Sequence, residues 1–476
     1  MACLPLSGCS SDEGSTAVPP DVVIVLVDTL RADFTELNGY VGTTPHLQAL
    51  ADESVVFEAA YSPGPWTLPS IASLFTGQHL VEHGVLHDRV QLPESATTFV
   101  EVFADAGYAT GSFYRNPYAG ESFGLAQGFD VVQAPARSTG PKVLADFWAE
   151  TGDRPYLLYV HNAEPHDPLL TRGRFRPDQD PAFLDEFGRL VARYRSLTRT
   201  DWAKGRPVGT TDNTDEQDRH LARLDALAPE VKALYAASVR DADDRIGGIV
   251  EALRERGTWD RTLFIVLSDH GEEMGEHGSW QHDQSVYEEL VHVPLLIHFP
   301  DGDHGGLRVD TPVSGIDLAP TLLEVAGLDG ENEPGTVDSQ RGGMRISGRS
   351  LIDAIEGDAA DGPRLMAMRH NQKKFNRRLK ESRGDLNLAV RDGRWKAIVN
   401  VETGTVELYD LELDPGETDD RSEQDPERAD RLATFATARY AELEANASSA
   451  RSGGLLDAER TDLEGLRALG YLDDDE

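Results

Sequence analysis

Apolar residues in this chain fall into two alternating kinds of run. "DVVIVLV" (21–27) is continuous and β-branched, which predicts a strand buried on both faces. "VVFEAAY" (55–61), "ATGSFY" (109–114), "YLLYVHN" (156–162), "TLFIVLS" (262–268) and "VPLLIHF" (293–299) predict further strands. Helical spacing lies between them, most plainly in "PEVKALYAASVRDADDRIGGIVEALRERG" (229–257). Thr44 is expected to cap "PHLQALADES", with Pro45 at its first helical position. This alternation predicts an α/β fold, with a mostly parallel central sheet flanked by helices. Residues 328–350 are rich in Gly and Asp and read as a boundary. After them "RLMAMRHN", "LNLAVRDGRWKAIVN" and "TVELYDLE" predict a smaller antiparallel sheet, and a helix follows near 426–445. The expected organisation is a leader or tether at 1–19, a main domain at 20–327 and a C-terminal subdomain at 328–476. The polar stretch 170–228 reads as an insertion over one face.

Charge narrows the partners. A net charge of -38 makes nucleic acid an unsuitable ligand and disfavours general adhesion to anionic membranes. Any anion site must be built locally, from metal ions, helix termini or a few Arg and His. The two cysteines, Cys3 and Cys9, leave the folded body without a disulfide, a thiolate metal site or a Cys nucleophile. No stretch is long and apolar enough to span a bilayer as a helix. Leu6-Ser7-Gly8-Cys9 resembles a bacterial lipobox with a polar tether after it, although little apolar sequence precedes it. The expectation is an upstream start, Cys9 as a lipid anchor, and a cell-envelope or periplasmic location. A start as written would instead place the protein in the cytoplasm.

Candidate chemistry gathers where buried strands end. "VVIVLV" ends at Asp28-Thr29, "FIVLS" ends at Asp269-His270, and "YLLYVHN" runs on to His166. Ligands of open α/β sheets bind beyond the carboxyl ends of the strands, so these groups are expected on one edge. In "SPGPWTLPSIASLFTGQ" (62–78), Thr67 stands where a helix N-cap would stand. A Thr hydroxyl needs a base or a metal to become a nucleophile. A divalent ion held by Asp28, Asp269 and His270, with Thr67 as its next ligand, would do this and would neutralise a phosphoryl or sulfuryl oxygen. His166 and His282 are candidates for binding the transferred group or protonating the leaving oxygen, and His282 for holding part of a second ion. Arg115 and Asn116, following "ATGSFY", join His166 as candidate substrate-binding residues. Ser70 and Ser73 are weaker nucleophile candidates, since their helical positions suit packing or capping.

Several motifs together, "VVIVLVDTLRAD", "TTPHLQALADESVVFEAAYS", "PWTLPSIASLFTG", "HNAEPHDP", "LFIVLSDHGEEMGEHG" and "YEELVHVPLLIHFP", resemble the sulfatase family of the alkaline phosphatase superfamily in order and spacing. "AVRDGRWKAI", "ELYDLELDPGE" and "LRALGYL" are similar to the C-terminal part of its bacterial members. The resemblance implies an α/β sandwich with a smaller C-terminal subdomain and a metal-dependent ester hydrolase. It places Asp28, Asp269 and His270 at metal ligands, Thr67 at the nucleophile, His166 near the transferred group and His282 at a basic position.

The departures from that pattern carry information. Thr67 and Ile71 stand where sulfatases carry Cys or Ser and Arg, so conversion to formylglycine is not expected. Thr29 replaces a frequent metal-binding Asp, His270 a frequent Asn, and Asp283 a Lys. Asp88 stands where relatives reading "HGVRDN" have Asn. Imidazole in place of hard oxygen favours zinc or manganese over calcium as the divalent cofactor, with calcium still open. The remaining pattern resembles the superfamily's Thr-nucleophile phosphodiesterases and phosphonate hydrolases. The expected substrate is an anionic ester of a small molecule, glycan or lipid. Competing readings are a genuine sulfuric ester hydrolase and a non-catalytic envelope binding protein. The basic island "RHNQKKFNRRLKESR" (369–383) reads as a solvated loop or an anion clamp.

Overall fold

The computed structural model describes residues 19–447, apart from position 89, 135–138 and stretches within 167–180, 199–213, 330–343 and 371–385. Cys3, Cys9, the "LRALGYL" segment and most of the basic island lie outside the described residues.

The main sheet has eight strands: β1 (Asp21–Val27), β2 (Val55–Phe57), β3 (Ala109–Phe113), β4 (Val131–Gln133), β5 (Tyr156–Asn162), β6 (Thr262–Leu267), β7 (Leu295–His298) and β8 (Arg308–Val309). Their order is β8-β2-β7-β6-β1-β5-β3-β4. Only β7 runs against the others, pairing antiparallel with both β2 and β6. The β-branched run of β1 is central and wholly buried. Its side chains alternate between two cores. Val22, Ile24 and Leu26 face the core that contains α2 (Thr67–Thr76); Val23, Val25 and Val27 face the core built on α3 (Ala228–Arg256).

Two sequence readings need local correction. The run 55–61 is two strands in different sheets, β2 and a pair formed by Ala60–Tyr61 with Val313–Ser314. The chain turns at Glu58, which is exposed and pairs with Arg308. Thr44 does occupy the cap position of α1 (Pro45–Leu50), but its hydroxyl accepts from the Glu36 N–H at 2.7 Å instead. The free N–H groups of His46 and Leu47 donate to Asp243 of α3, each at 2.9 Å.

Four antiparallel strands form the C-terminal sheet: β9 (Arg364–His370), β10 (Leu386–Asp392), β11 (Trp395–Asn400) and β12 (Val406–Asp410). Helix α4 (Pro426–Asn446) covers one face with Ala429, Leu432, Ala436, Tyr440 and Leu443. The other face sends Met366, Ala367, Ala389, Ile398 and Tyr409 against Tyr61, Val286, Tyr287, Leu290 and Val291 of the main domain. Met344, Ile346, Leu351 and Ala354, which precede β9, pack in the main core. No helix among the described residues is long and apolar enough to cross a membrane.

Candidate active site

Asp28 follows β1 directly and Asp269 lies just beyond β6, its neighbour in the sheet. The two carboxylates therefore meet above the carboxyl edge, both buried. Thr29 turns the chain there with φ 59°, a conformation that costs a β-branched residue energy. Three hydrogen bonds hold it. Its N–H donates to Asp269 Oδ1 at 3.2 Å, its hydroxyl donates to the Asp28 carbonyl at 2.7 Å, and its own carbonyl accepts from the Tyr235 hydroxyl.

His270 is locked into a defined tautomer. Its Nδ1 lies 2.8 Å from the Gly271 carbonyl, which can only accept, so Nδ1 carries the proton. The bare Nε2 then faces Thr67 Oγ1 at 3.2 Å and one oxygen each of Asp28 and Asp269 at 3.6 Å. Gly271 is required at this point: a Cβ would sit 2.0 Å from the Glu289 carbonyl oxygen.

Thr67 is the first residue of α2, and it is not the cap. Trp66 takes the cap position with extended backbone, and its ring packs edge-on against Tyr118. The Thr67 hydroxyl is thus free of the helix and accepts from Asn116 Nδ2 at 3.3 Å. The same amide donates to Asp28 Oδ2 at 2.8 Å, so Asn116, expected to bind substrate, ties the nucleophile candidate to the carboxylate as well. Ser70 donates to the Asp269 carbonyl at 2.7 Å, and Ser73 lies 2.9 Å from His83 Nε2.

The remaining candidates rim this centre. His282 places its ring centroid 4.7 Å from that of His270 and 5.3 Å from that of His166, while its Nδ1 meets Glu272 at 2.9 Å. Arg115 and Arg245 share the Glu164 carboxylate at 3.3 and 2.7 Å. Arg369, which opens the basic island and lies on β9, is buried and donates to the Asp283 carbonyl at 2.6 Å.

His161 was absent from the sequence reading. It lies on β5 in register with Leu26, is fully buried, and among the described residues neither ring nitrogen has a hydrogen-bond partner. Burial pushes its pKa down to about 4, so the ring is neutral. One donor atom each from Asp28, His161 and Asp269 falls within 4.8 Å of the others. Its position inside an apolar strand run hid it; the signal was a His one residue before a strand end, beside an Asp-terminated strand.

The electrostatics call for a cation. Burial, and then the charge of Asp269, pushes the Asp28 carboxyl well above its ordinary range. Asp28 Oδ1 and Asp269 Oδ2 have no hydrogen-bond partner, and among the described residues no Lys or Arg pairs with either acid. Orphaned buried oxygens beside imidazole nitrogens are a donor set that a divalent ion fits.

Comparison with known proteins agrees with this architecture. Residues 20–328 match the family model described as Sulfatase, and residues 275–438 match the one described as N-sulphoglucosamine sulphohydrolase, C-terminal. The chain is 25% identical to Arylsulfatase K of Xenopus laevis over 457 residues, covering 87% of this chain and 81% of that protein. It is 25% identical to choline-sulfatase of Rhizobium meliloti (strain 1021) over 470 residues, covering 84% and 82%. The crystal structure of a phosphonate monoester hydrolase of Agrobacterium radiobacter superposes with a TM-score of 0.63 at 22% identity, covering 90% of this chain and 96% of that one. With the fold, the strand-end acids and a family model spanning most of the chain in agreement, this protein belongs to the Sulfatase family of ester hydrolases, within the alkaline phosphatase-like superfamily.

Proposed function

We propose that this protein hydrolyses phosphodiesters or phosphonate monoesters with Thr67 as nucleophile and a divalent ion, zinc or manganese, as cofactor. The observation that carries this reading is the setting of the Thr67 hydroxyl. It is uncommitted to helix capping, faces the bare Nε2 of His270, and is oriented by Asn116 beside two carboxylates that each keep one oxygen without a partner among the described residues. Asp28, Asp269, His270 and Thr67 would hold the ion, which supplies a lowered hydroxyl pKa and neutralises charge on the transferred group.

The chain's own residues account for the rest. Asn116 aims the hydroxyl, and the N-terminus of α2 presents free N–H groups to an anion. Thr67 Oγ forms a bond to phosphorus as the ester C–O–P linkage breaks on the leaving side. His282 or His166 gives the departing alkoxide its proton, and water later releases the product from Thr67 with return of a proton to the same histidine. Arg115 at the rim suits a charged part of the substrate.

The likeness to a phosphonate monoester hydrolase supports the fold of this reading, and Thr67 with Ile71 supports its chemistry, since Thr offers no route to formylglycine. Sulfuric ester hydrolysis is the second reading, favoured by the names of the curated relatives. Initial rates of metal-reconstituted enzyme on p-nitrophenyl phosphate, a phosphodiester, a phosphonate monoester and a sulfate decide between them. Dominant diester or phosphonate turnover with zinc or manganese is expected. Dominant sulfate turnover with calcium would overturn the proposal, and no turnover of any ester would favour a binding protein. The Leu6-to-Cys9 pattern supports an envelope location with a lipid on Cys9. Metabolic labelling of the native gene product is expected to mark Cys9, and an unlabelled protein would remove that assignment.

A further inference from the structure

His161 is an anomaly that the hydrolytic reading leaves unexplained. Its ring is wholly shielded from water, yet among the described residues neither nitrogen has a hydrogen-bond partner. An imidazole buried this way loses its hydration without a replacement partner. Its closest charged neighbour does not relieve it. Nε2 lies 3.6 Å from Asp28 Oδ2, beyond hydrogen-bond length, and that oxygen already accepts from Asn116 at 2.8 Å.

A separation of 3.6 Å is too long for a hydrogen bond but suits two ligands of one ion. Donors that each stand about 2.1 Å from one ion are about 3 to 3.5 Å apart at neighbouring positions. The Asp28–His270 and Asp269–His270 pairs, both at 3.6 Å, share this spacing. His161 also completes the donor set with Asp28 and Asp269 whose atoms lie mutually within 4.8 Å. We propose that His161 is a ligand of the divalent ion, giving the site two imidazoles and selecting a nitrogen-seeking metal over calcium. This rests on the metal reading above, and goes beyond it by fixing a ligand and a selectivity.

The chemistry predicts which quantity should move. Calcium takes oxygen ligands almost exclusively, whereas zinc gains strongly from imidazole. Removing one imidazole should therefore weaken zinc far more than calcium. A purely structural histidine would change both affinities together or neither.

The experiment is isothermal titration of the full-length protein with zinc, manganese and calcium chloride, comparing wild type with His161→Gln. At least a tenfold loss of zinc affinity is expected in the variant, with calcium affinity changed by less than threefold. An unchanged zinc-to-calcium ratio would overturn the assignment while leaving the metal reading intact. Wild type that binds none of the three ions would overturn both. If His161→Gln does not fold, cobalt(II)-loaded wild type is examined by paramagnetic NMR. Two strongly shifted, solvent-exchangeable imidazole N–H signals are expected, one each from His161 and His270; a single signal would exclude His161.

Discussion

The active edge and the seam beneath the C-terminal sheet both bury carboxylates, but they balance them differently. At the seam, Lys396 of β11 is fully buried between Glu288 at 2.8 Å and Glu417 at 2.9 Å. His277 meets Glu289 at 2.5 Å and the Glu417 carbonyl at 3.1 Å. Burial would raise both acids; Lys396, His292 and Arg391 hold Glu288 down to about 2, while burial keeps Glu417 at about 7 even beside Lys396. At the active edge, Asp28 and Asp269 have no such cation, and Asp28 is driven upward instead. A cluster that the chain closes for itself is architecture; one left open expects its missing charge from outside.

The sharpest way to break this contrast is at the edge. Thr67→Ala should reduce ester turnover by about a thousandfold or more while the melting temperature stays within a few degrees; retained turnover would remove Thr67 from the chemistry. At the seam, Lys396→Met should cost about 3–5 kcal/mol in urea unfolding, because Glu288 and Glu417 would stay buried without their cation. A loss below 1 kcal/mol would mean that the seam is not charge-balanced as described.

His277 sharpens the comparison through pH. Burial opposes its charge, but Glu289 and Glu417 raise its pKa to about 9. Its stabilisation is therefore complete below about pH 6.5 and disappears as pH rises through 9. His277→Gln should cost roughly 2–3 kcal/mol at pH 6 and much less at pH 10; equal losses at both pH values would contradict this. The smallest effect has the opposite sign. Asp28→Asn removes one of two facing acids, so the metal-free protein should gain on the order of 1 kcal/mol at pH 8. The same variant should lose the thermal stabilisation that zinc gives wild type. Lower stability without metal would mean that Asp28 is already balanced.

The sequence makes some of this visible and hides the rest for physical reasons. Buried strands announce themselves through continuous apolar runs, and Asp28 and Asp269 stand out because a charge ends each run. Hydrophobic periodicity has no direction, so the reversed β7 could not be distinguished from its parallel neighbours. Thr67 was misplaced by one residue because Trp66, a poor capping residue by type, takes the extended cap position to pack on Tyr118. Asn116 reads from the chain as substrate-binding, and its tie to Asp28 spans 88 positions; His161 gains its meaning only beside Asp28, at the end of the neighbouring strand. The seam was equally hidden, since Lys396 and Glu288 meet across 108 positions and each reads as an ordinary surface charge.

Lys396 and Glu417 also set an order of events during synthesis. Asp28 leaves the ribosome early, and the segment from Gly271 to Leu290 that backs His270 and carries His282 follows much later. The cation that Glu288 shares with Glu417, Lys396, comes later still, from β11. A nascent chain that has completed the eight-stranded sheet still lacks the cation that Glu288 requires. The ionic support of the segment that carries His282 is thus complete only once the final quarter of the polypeptide has emerged.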